Sequence, residues 1–221
     1  MRRIARRWGG GVAAGMMAAV AVGSAGAREP DTRGATGLAR DQATFTRPAT
    51  RDGEIALALS ALPESLRPSA TVYVLGPKGY EKAREGTSGV HCLVSHDRPD
   101  TQEPICWDRE GAETILPVKL DEAAWRAAGV PEAEIEARVA AGFRSGRYRA
   151  PRRSGVAYML SAENWVFNGE KVIHYVPHVM MYAPYLTNAD IGADGKDPNA
   201  PWILDEGSPH AYIIVVAHGK D

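Results

Sequence analysis

The sequence predicts a single α+β domain that contains a mostly antiparallel sheet and a central helical segment. Strand-like runs occur on both sides of the middle of the chain, and helical patterns occupy the middle itself, at residues 121–129 and 131–146. This segregation of strands from helices favours α+β over an alternating α/β arrangement. The length of 221 residues suits one folded domain, which we expect to span residues 52–221.

The elements before the helical segment are expected to begin with a helix. Asp52 is a good N-cap, Ile55, Leu59 and Leu62 recur at helical spacing, and Pro63 ends or restarts the helix. The β-branched and aromatic run at 71–75 then predicts a strand. Further short strands are expected near residues 80–84, 90–94, 104–107 and 114–118.

Two helices and five strands are expected in the remainder of the chain. Asp121 caps the first helix and Gly129 closes it, and Pro131 then opens a longer helix that ends near Gly146. The last strand is apolar at nearly every position, which predicts a central strand that is covered on both faces. The five strand-like runs lie at residues 155–160, 165–167, 171–175, 178–182 and 211–217.

Residues 1–27 have the three parts of a secretory signal peptide. Four arginines precede an apolar run at residues 12–22, and an Ala-x-Ala pattern ends at Ala27. The run is shorter than the roughly 20 apolar residues that cross a bilayer, so no membrane anchor is expected after cleavage. General secretion is favoured over twin-arginine export, because the usual surroundings of the twin-arginine motif are missing. The mature protein is therefore expected in the periplasm or medium, beginning at Arg28.

The mature chain is expected to be mildly acidic and to carry a flexible N-terminal extension. Removing the signal, which holds four arginines and no acids, changes the formal net charge from −1 to −5. A protein of this charge lacks the field that attracts phosphates, which argues against nucleic acid and anionic membrane as partners. Residues 28–51 contain few large apolar side chains and no periodicity, so they predict a solvated extension.

The two cysteines, Cys92 and Cys106, are expected to form a disulfide. They lie in strand-like runs on either side of a polar segment that contains two prolines, which indicates a hairpin with a surface loop. An even pair of cysteines in an exported chain is interpreted first as a structural disulfide. The spacing matches neither the C-x-x-C motif of redox enzymes nor a four-cysteine zinc site.

Four segments resemble those of a family of secreted bacterial proteins that has no assigned activity. They are GYEKAREGTSGVHCLV, PICWD, PHVMMYAPYLTNADIG and EGSPHAYIIVV, and the resemblance extends over most of the mature chain. The resemblance implies an exported single-domain protein and supplies no catalytic roles.

Two Pro-His pairs mark the strongest candidate site. Pro177 and Pro209 each precede an apolar strand-like run, so His178 and His210 are expected at strand ends. If these strands are parallel neighbours, the imidazoles meet at one edge of the sheet and can bind a divalent metal with Glu206 nearby. If the strands are antiparallel, the histidines lie at opposite ends. In the alternative interpretation each histidine caps a strand by bonding a backbone carbonyl.

An arginine-rich segment is the second candidate site. Five arginines occur between residues 144 and 153, and Arg147 and Arg149 are the candidates for binding an anionic ligand. The alternative is a solvated loop whose arginines pair with acidic side chains of the same chain.

These features leave two classes of function. The first is a cell-envelope binding or accessory protein for a small anionic or metal-linked ligand. The second is a periplasmic hydrolase or metal-assisted enzyme that uses His178 and His210. The sequence contains no G-x-S-x-G, no phosphate loop, no dinucleotide fingerprint and no H-E-x-x-H, which favours the first class.

Overall fold

The computed structural model describes residues 45–97, 101–167, 172–194 and 200–215. These residues form one α+β body, in which helices pack against an eight-stranded mixed sheet that is mostly antiparallel. The predicted fold class is therefore confirmed. The expected signal peptide and residues 28–44 of the expected extension lie outside the described residues. No helix in the described ranges is both long and apolar enough to cross a membrane.

The described residues contain four α-helices, two short 3₁₀ segments and ten strands. The helices are α1 (Arg51–Ser60), α2 (Arg109–Thr114), α3 (Leu116–Ala127) and α4 (Glu132–Ser145), and the 3₁₀ segments are Glu64–Ser69 and Ala189–Ile191. The strands are β1 (Thr71–Gly76), β2 (Gly79–Arg84), β3 (His91–Ser95), β4 (Glu103–Trp107), β5 (Val156–Met159), β6 (Asn164–Phe167), β7 (Val172–Tyr175), β8 (His178–Tyr182), β9 (Trp202–Leu204) and β10 (Tyr212–Val215).

The main sheet has the strand order β2-β1-β3-β4-β5-β8-β10-β9, and β6 and β7 form a separate hairpin. The β1–β3 pair is parallel and the other neighbours are antiparallel. Two parallel neighbouring strands need a crossover connection between them. Here that connection contains β2, which follows β1 in sequence and pairs with the outer edge of β1.

The two faces of the sheet bury different sets of side chains, because successive strand residues point to opposite faces. Helix α1 covers the first face over β1, β3 and β4, where Val72, Val94 and Cys106 are buried. We call this the α1 face. The opposite face, which we call the cavity face, buries a larger cluster that includes Trp107 and Met180.

The disulfide between Cys92 and Cys106 is confirmed. The two residues are direct partners in the antiparallel β3–β4 pair, and their Cα atoms are 4.0 Å apart. Both are fully buried on the α1 face. The bond therefore joins two central strands under the helix.

Three expectations about the helices were wrong in detail. Asp121 was expected to cap a helix, but it lies inside α3. Residues 114–118 are not a strand, because α2 ends at Thr114 and α3 begins at Leu116. The apolar residues there follow helical spacing and lie buried, as Leu116 and Val118 do. Thr50 rather than Asp52 caps α1, since the Thr50 hydroxyl accepts the amide N–H of Gly53.

The last strand is not covered on both faces. β10 is next to the edge strand β9, and its residues alternate between buried Tyr212 and Ile214 and the 43% exposed Val215. An unbroken apolar run therefore forms a strand with only one fully buried face. The prediction also missed β9, which has only three residues.

Candidate functional site

A cavity of about 270 Å³ on the cavity face is the candidate site. Its floor comes from strands β3, β4, β5, β8, β9 and β10, and its walls come from α3, the β6–β7 hairpin and the turn after β9. The lining is mainly apolar and aromatic with a charged end, and its residues are Ser95, Asp97, Glu103, Ile105, Trp107, Lys119, Met159, Val166, Tyr175, His178, Met180, Trp202, Leu204, Asp205, Tyr212 and Ile214.

Strand alternation explains why these residues face one space. Glu103, Ile105 and Trp107 are alternate residues of β4 and therefore point to the same side of the sheet. The same rule groups His178 and Met180 on β8. Because Cys106 falls between Ile105 and Trp107, the disulfide lies on the other side of the strand from the cavity.

The charged end combines two carboxyl groups and a lysine. The Lys119 ammonium lies 3.7 Å from the Asp97 carboxylate and 3.1 Å from that of Glu122. Arg126 also contacts Asp97, at 3.3 Å. Burial alone would raise the pKa of Asp97, but these two cations hold it below its usual value. Asp97 and Lys119 therefore form a partly buried ion pair.

Glu103 has no such partner. Within the described residues its carboxyl makes neither a hydrogen bond nor an ion pair. Burial, with the Asp97 charge as a second cause, raises the pKa of Glu103 to about 8. Glu103 is therefore mostly protonated at neutral pH and can donate a hydrogen bond. A carboxyl group that is neutral at pH 7 and lines a cavity is typical of a functional site.

His178 is a neutral hydrogen-bonding group of the same cavity. Its Nδ1 lies 2.8 Å from the carbonyl oxygen of Val176, so Nδ1 carries the proton and Nε2 is an acceptor. Burial lowers the pKa of His178, and the imidazole stays neutral near pH 7. This is the backbone-bonding role that the alternative interpretation of the sequence described.

Four aromatic side chains line the cavity, namely Trp107, Tyr175, Trp202 and Tyr212. The indole N–H of Trp107 donates to the hydroxyl oxygen of Tyr212 at 3.0 Å. The ring of Tyr175 lies 6.3 Å from that of His178. Aromatic walls with a few polar groups are the usual composition of small-molecule sites.

The structure does not bring His178 and His210 together. Strands β8 and β10 are antiparallel neighbours, with Val179 opposite Val215 and Tyr182 opposite Tyr212. His178 therefore lies beyond one end of this ladder and His210 beyond the other, about 20 Å apart at the usual rise per residue. The predicted shared metal site is wrong, because it required parallel strands. The hydrolase alternative loses its geometric basis for the same reason.

His210 and Glu206 instead lie in the loop before β10. The His210 ring packs edge-on against Phe143 of α4, with the ring centroids 5.4 Å apart. The Glu206 carboxylate accepts hydrogen bonds from the backbone N–H and the side-chain amide of Asn188. Glu206 thus ties this loop to the segment after β8. Among the described residues, no cluster of three or more histidine, cysteine, aspartate or glutamate side chains could hold a metal ion.

The arginine segment pairs with acids of the same chain. Arg147 lies 2.6 Å from the Asp121 carboxylate, and Arg149 lies 2.9 Å from that of Glu113. Arg153 pairs with Glu110 in the same way. These exposed pairs agree with the alternative of a solvated loop and do not favour an anion site.

Sequence reasoning missed the residues of the charged end. Asp97 lies in the segment that was interpreted as a surface loop, and Glu103 lies at the start of β4. Lys119 falls in a region that was expected to follow a strand and in fact belongs to α3. The one available signal was that Glu103 directly precedes Pro104 and the strand-like run that follows. This signal is weak, because it does not show which face of the sheet the Glu103 side chain occupies.

No known protein family, no curated protein and no solved structure matches this chain. The resemblance to secreted bacterial proteins therefore stays a prediction, and the cavity is the feature that bears on function.

Proposed function

We propose that the protein is an extracytoplasmic binding protein that holds a small molecule with an apolar body in the cavity. The single observation that carries this proposal is the cavity itself, which is mainly apolar but has a charged end. Its volume of about 270 Å³ is close to the lower end of small-molecule sites. The disulfide supports an oxidising compartment.

The apolar floor supplies the affinity in this proposal. Ile105, Met180 and Ile214 line the cavity and are otherwise buried in the core. A ligand that covers such side chains removes apolar surface from water at about 25 cal/mol per Å². The polar groups at the charged end then fix its orientation. The anionic ligand that the arginine segment suggested is not supported by these groups, which carry more acid than base.

Partial filling of the cavity tests the proposal. Leu204 lies on the edge strand β9 and is only partly buried, so Leu204→Phe adds volume at the cavity with little strain. Val215→Phe is the matched control, because Val215 is 43% exposed and lies outside the lining. Val166→Phe on β6 is a second variant that fills the cavity, and it replaces Leu204→Phe in the test if Leu204→Phe does not fold.

The probe is 2-phenylethanol, and calorimetric titration of the purified protein with its disulfide intact measures its binding. We expect saturable binding to the wild type and to Val215→Phe, and at least a tenfold weaker affinity in the folded filling variants, because the added ring occupies the ligand volume. Wild-type protein that shows no saturable binding, or filling variants that bind as well as the wild type, would overturn the proposal.

A further inference from the structure

We propose that the cavity selects an amphiphilic cation, a small molecule with an apolar body and an ammonium group that pairs with Glu103. This inference rests on the proposed function and names the ligand class for the same cavity. Three features support it: the charge balance of the lining, the aromatic walls and the carboxyl of Glu103, for which the described residues offer no partner.

The charge balance of the lining favours a cation. The ionisable acids of the lining are Asp97, Glu103 and Asp205, and its only cation in the described chain is Lys119. Lys119 is already neutralised, since it lies within 4 Å of both Asp97 and Glu122. An anion would add negative charge beside Asp97 and Asp205, and a cation could pair with the carboxyl group of Glu103.

Glu103 is the acid of the lining that has no hydrogen-bond or ion-pair partner among the described residues. Asp97 has two cations within 4 Å, but the Glu103 carboxyl has no hydrogen bond or ion pair with any described residue. A buried carboxyl is stabilised when it ionises beside a positive charge. An ammonium group supplied by a ligand would provide that charge, so binding of the cation would release the proton of the Glu103 carboxyl to solvent.

The aromatic lining provides a second source of affinity for a cation. Trp107, Tyr175, Trp202 and Tyr212 surround the same space as Glu103. Aromatic rings attract an ammonium group that comes within about 6 Å of their centroids, and tryptophan does so most strongly. The combination of aromatic residues with one carboxyl is how proteins distinguish alkylammonium ligands from neutral molecules of the same shape.

Three probes of equal size test the inference: phenethylamine, 2-phenylethanol and phenylacetate. They carry an ammonium, a hydroxyl and a carboxylate on the same apolar body. For the wild type at pH 8, we expect phenethylamine to bind about tenfold more tightly than 2-phenylethanol, because its hydrogen bond to Glu103 is charge-assisted. Phenylacetate should bind most weakly. Calorimetric titration measures all three affinities.

Glu103→Gln tests whether Glu103 causes the preference for phenethylamine, because the substitution keeps the shape of the side chain and removes its charge. We expect this variant to bind phenethylamine and 2-phenylethanol equally. Glu103→Met, which also removes the charge, serves as a second variant if the first does not fold. The control is Glu113→Gln, the same chemical change at an exposed residue that pairs with Arg149 outside the cavity. It should keep the tenfold preference.

The pH dependence gives an independent readout. Between pH 6 and pH 8, Asp97 stays ionised and Lys119 stays protonated, burial lowers the pKa of His178, and alkylammonium groups titrate near pH 10.4. Asp205, Tyr175 and Tyr212 also line the cavity. Glu103 is thus the group that must lose a proton, and phenethylamine affinity should rise by up to about tenfold per pH unit. The rise should be absent in Glu103→Gln.

The outcomes separate this inference from the proposed function. If 2-phenylethanol binds and phenethylamine shows no preference, or if phenylacetate binds most tightly, the cation inference is wrong and the binding function stands. If Glu103→Gln keeps the preference, the assignment to Glu103 is wrong. If the wild type binds none of the three probes, the proposed function also fails.

Discussion

Trp107 on β4 donates its indole N–H to the hydroxyl of Tyr212 on β10, although strands β5 and β8 lie between them in the sheet. Ala157 of β5, the cross-strand partner of Trp107, is fully buried in the same cluster. This hydrogen bond connects the two halves of the cavity floor. It also leaves Tyr212 with its polar atom satisfied inside an apolar wall.

We expect Trp107 and Tyr212 to be energetically coupled. Tyr212→Phe leaves the buried indole N–H without its acceptor, which costs about 1–3 kcal/mol of unfolding free energy. In a double-mutant cycle with Trp107→Phe, the two losses should be less than additive by about 1 kcal/mol. Urea denaturation of the four proteins measures this. Strictly additive losses would show that the hydrogen bond contributes nothing in solution.

Tyr182 should stabilise the fold through its hydroxyl group. It lies 2.8 Å from both the Asp108 carboxylate and the carbonyl oxygen of Val156, and Asp108 also caps α2. Tyr182→Phe should lower the free energy of unfolding by about 1–3 kcal/mol, because it removes a hydrogen bond to a partly buried carboxylate, which keeps only the backbone N–H groups of Gly111 and Val156 as donors. Tyr185→Phe is the control, since Tyr185 is 60% exposed and its change should fall within about 0.5 kcal/mol. Equal losses for the two variants would contradict this role.

Removal of the disulfide should destabilise the protein without unfolding it completely. The bond closes a loop with a sequence separation of 14, for which the loss of unfolded-state entropy predicts about 3 kcal/mol. Replacing both Cys92 and Cys106 with alanine should lower the free energy of unfolding by about this amount. Thiol labelling of the denatured, unreduced wild type should find no free cysteine, and two labelled thiols would contradict the bond.

The free energy of unfolding should fall as the pH rises from about 4.5 to about 8, because in this range Glu103 is protonated in the folded state and ionised in the unfolded state. The pKa of Glu103 is raised to about 8, so the unfolded chain loses this proton near pH 4.5 and the folded chain near pH 8. Between these pH values the unfolded state binds fewer protons than the folded state. Glu103 therefore lowers the free energy of unfolding by up to about 1.4 kcal/mol per pH unit.

Comparison of Glu103→Gln with the wild type isolates this effect. The variant should match the wild type near pH 5 and become relatively more stable towards pH 8, because its side chain does not ionise. Thermal denaturation across this range measures the difference. A constant difference between the two proteins at every pH would contradict the raised pKa.

The sequence was sufficient for the elements whose signals are local. Gly146 ends α4 in a left-handed conformation as expected, and Glu134 and Arg138 pair one turn apart on that helix. The cysteine spacing and the apolar runs were enough to predict β3 and β4. Residues 114–118 failed because β-branched and apolar residues suit either a strand or a buried helix, and tertiary packing decides between them.

The site could not be predicted because it depends on strand pairing at long range. His178 and His210 have the same local sequence pattern, and only the antiparallel pairing of β8 and β10 separates them. Glu103 acquires its unusual ionisation from burial and from Asp97, neither of which is visible in its neighbours along the chain. Local sequence specifies which residues can carry chemistry, and the register of the sheet specifies which of them meet.

The two outer strands of the main sheet also have a consequence for solubility. An edge strand exposes unpaired N–H and C=O groups that can recruit another chain into an aggregate. One edge here is β2, which carries Glu81, Lys82 and Arg84, and the other is β9, which is only three residues long. The charged side chains of β2 and the shortness of β9 both oppose intermolecular strand pairing, which lowers the tendency of copies of the protein to join edge to edge into fibrils.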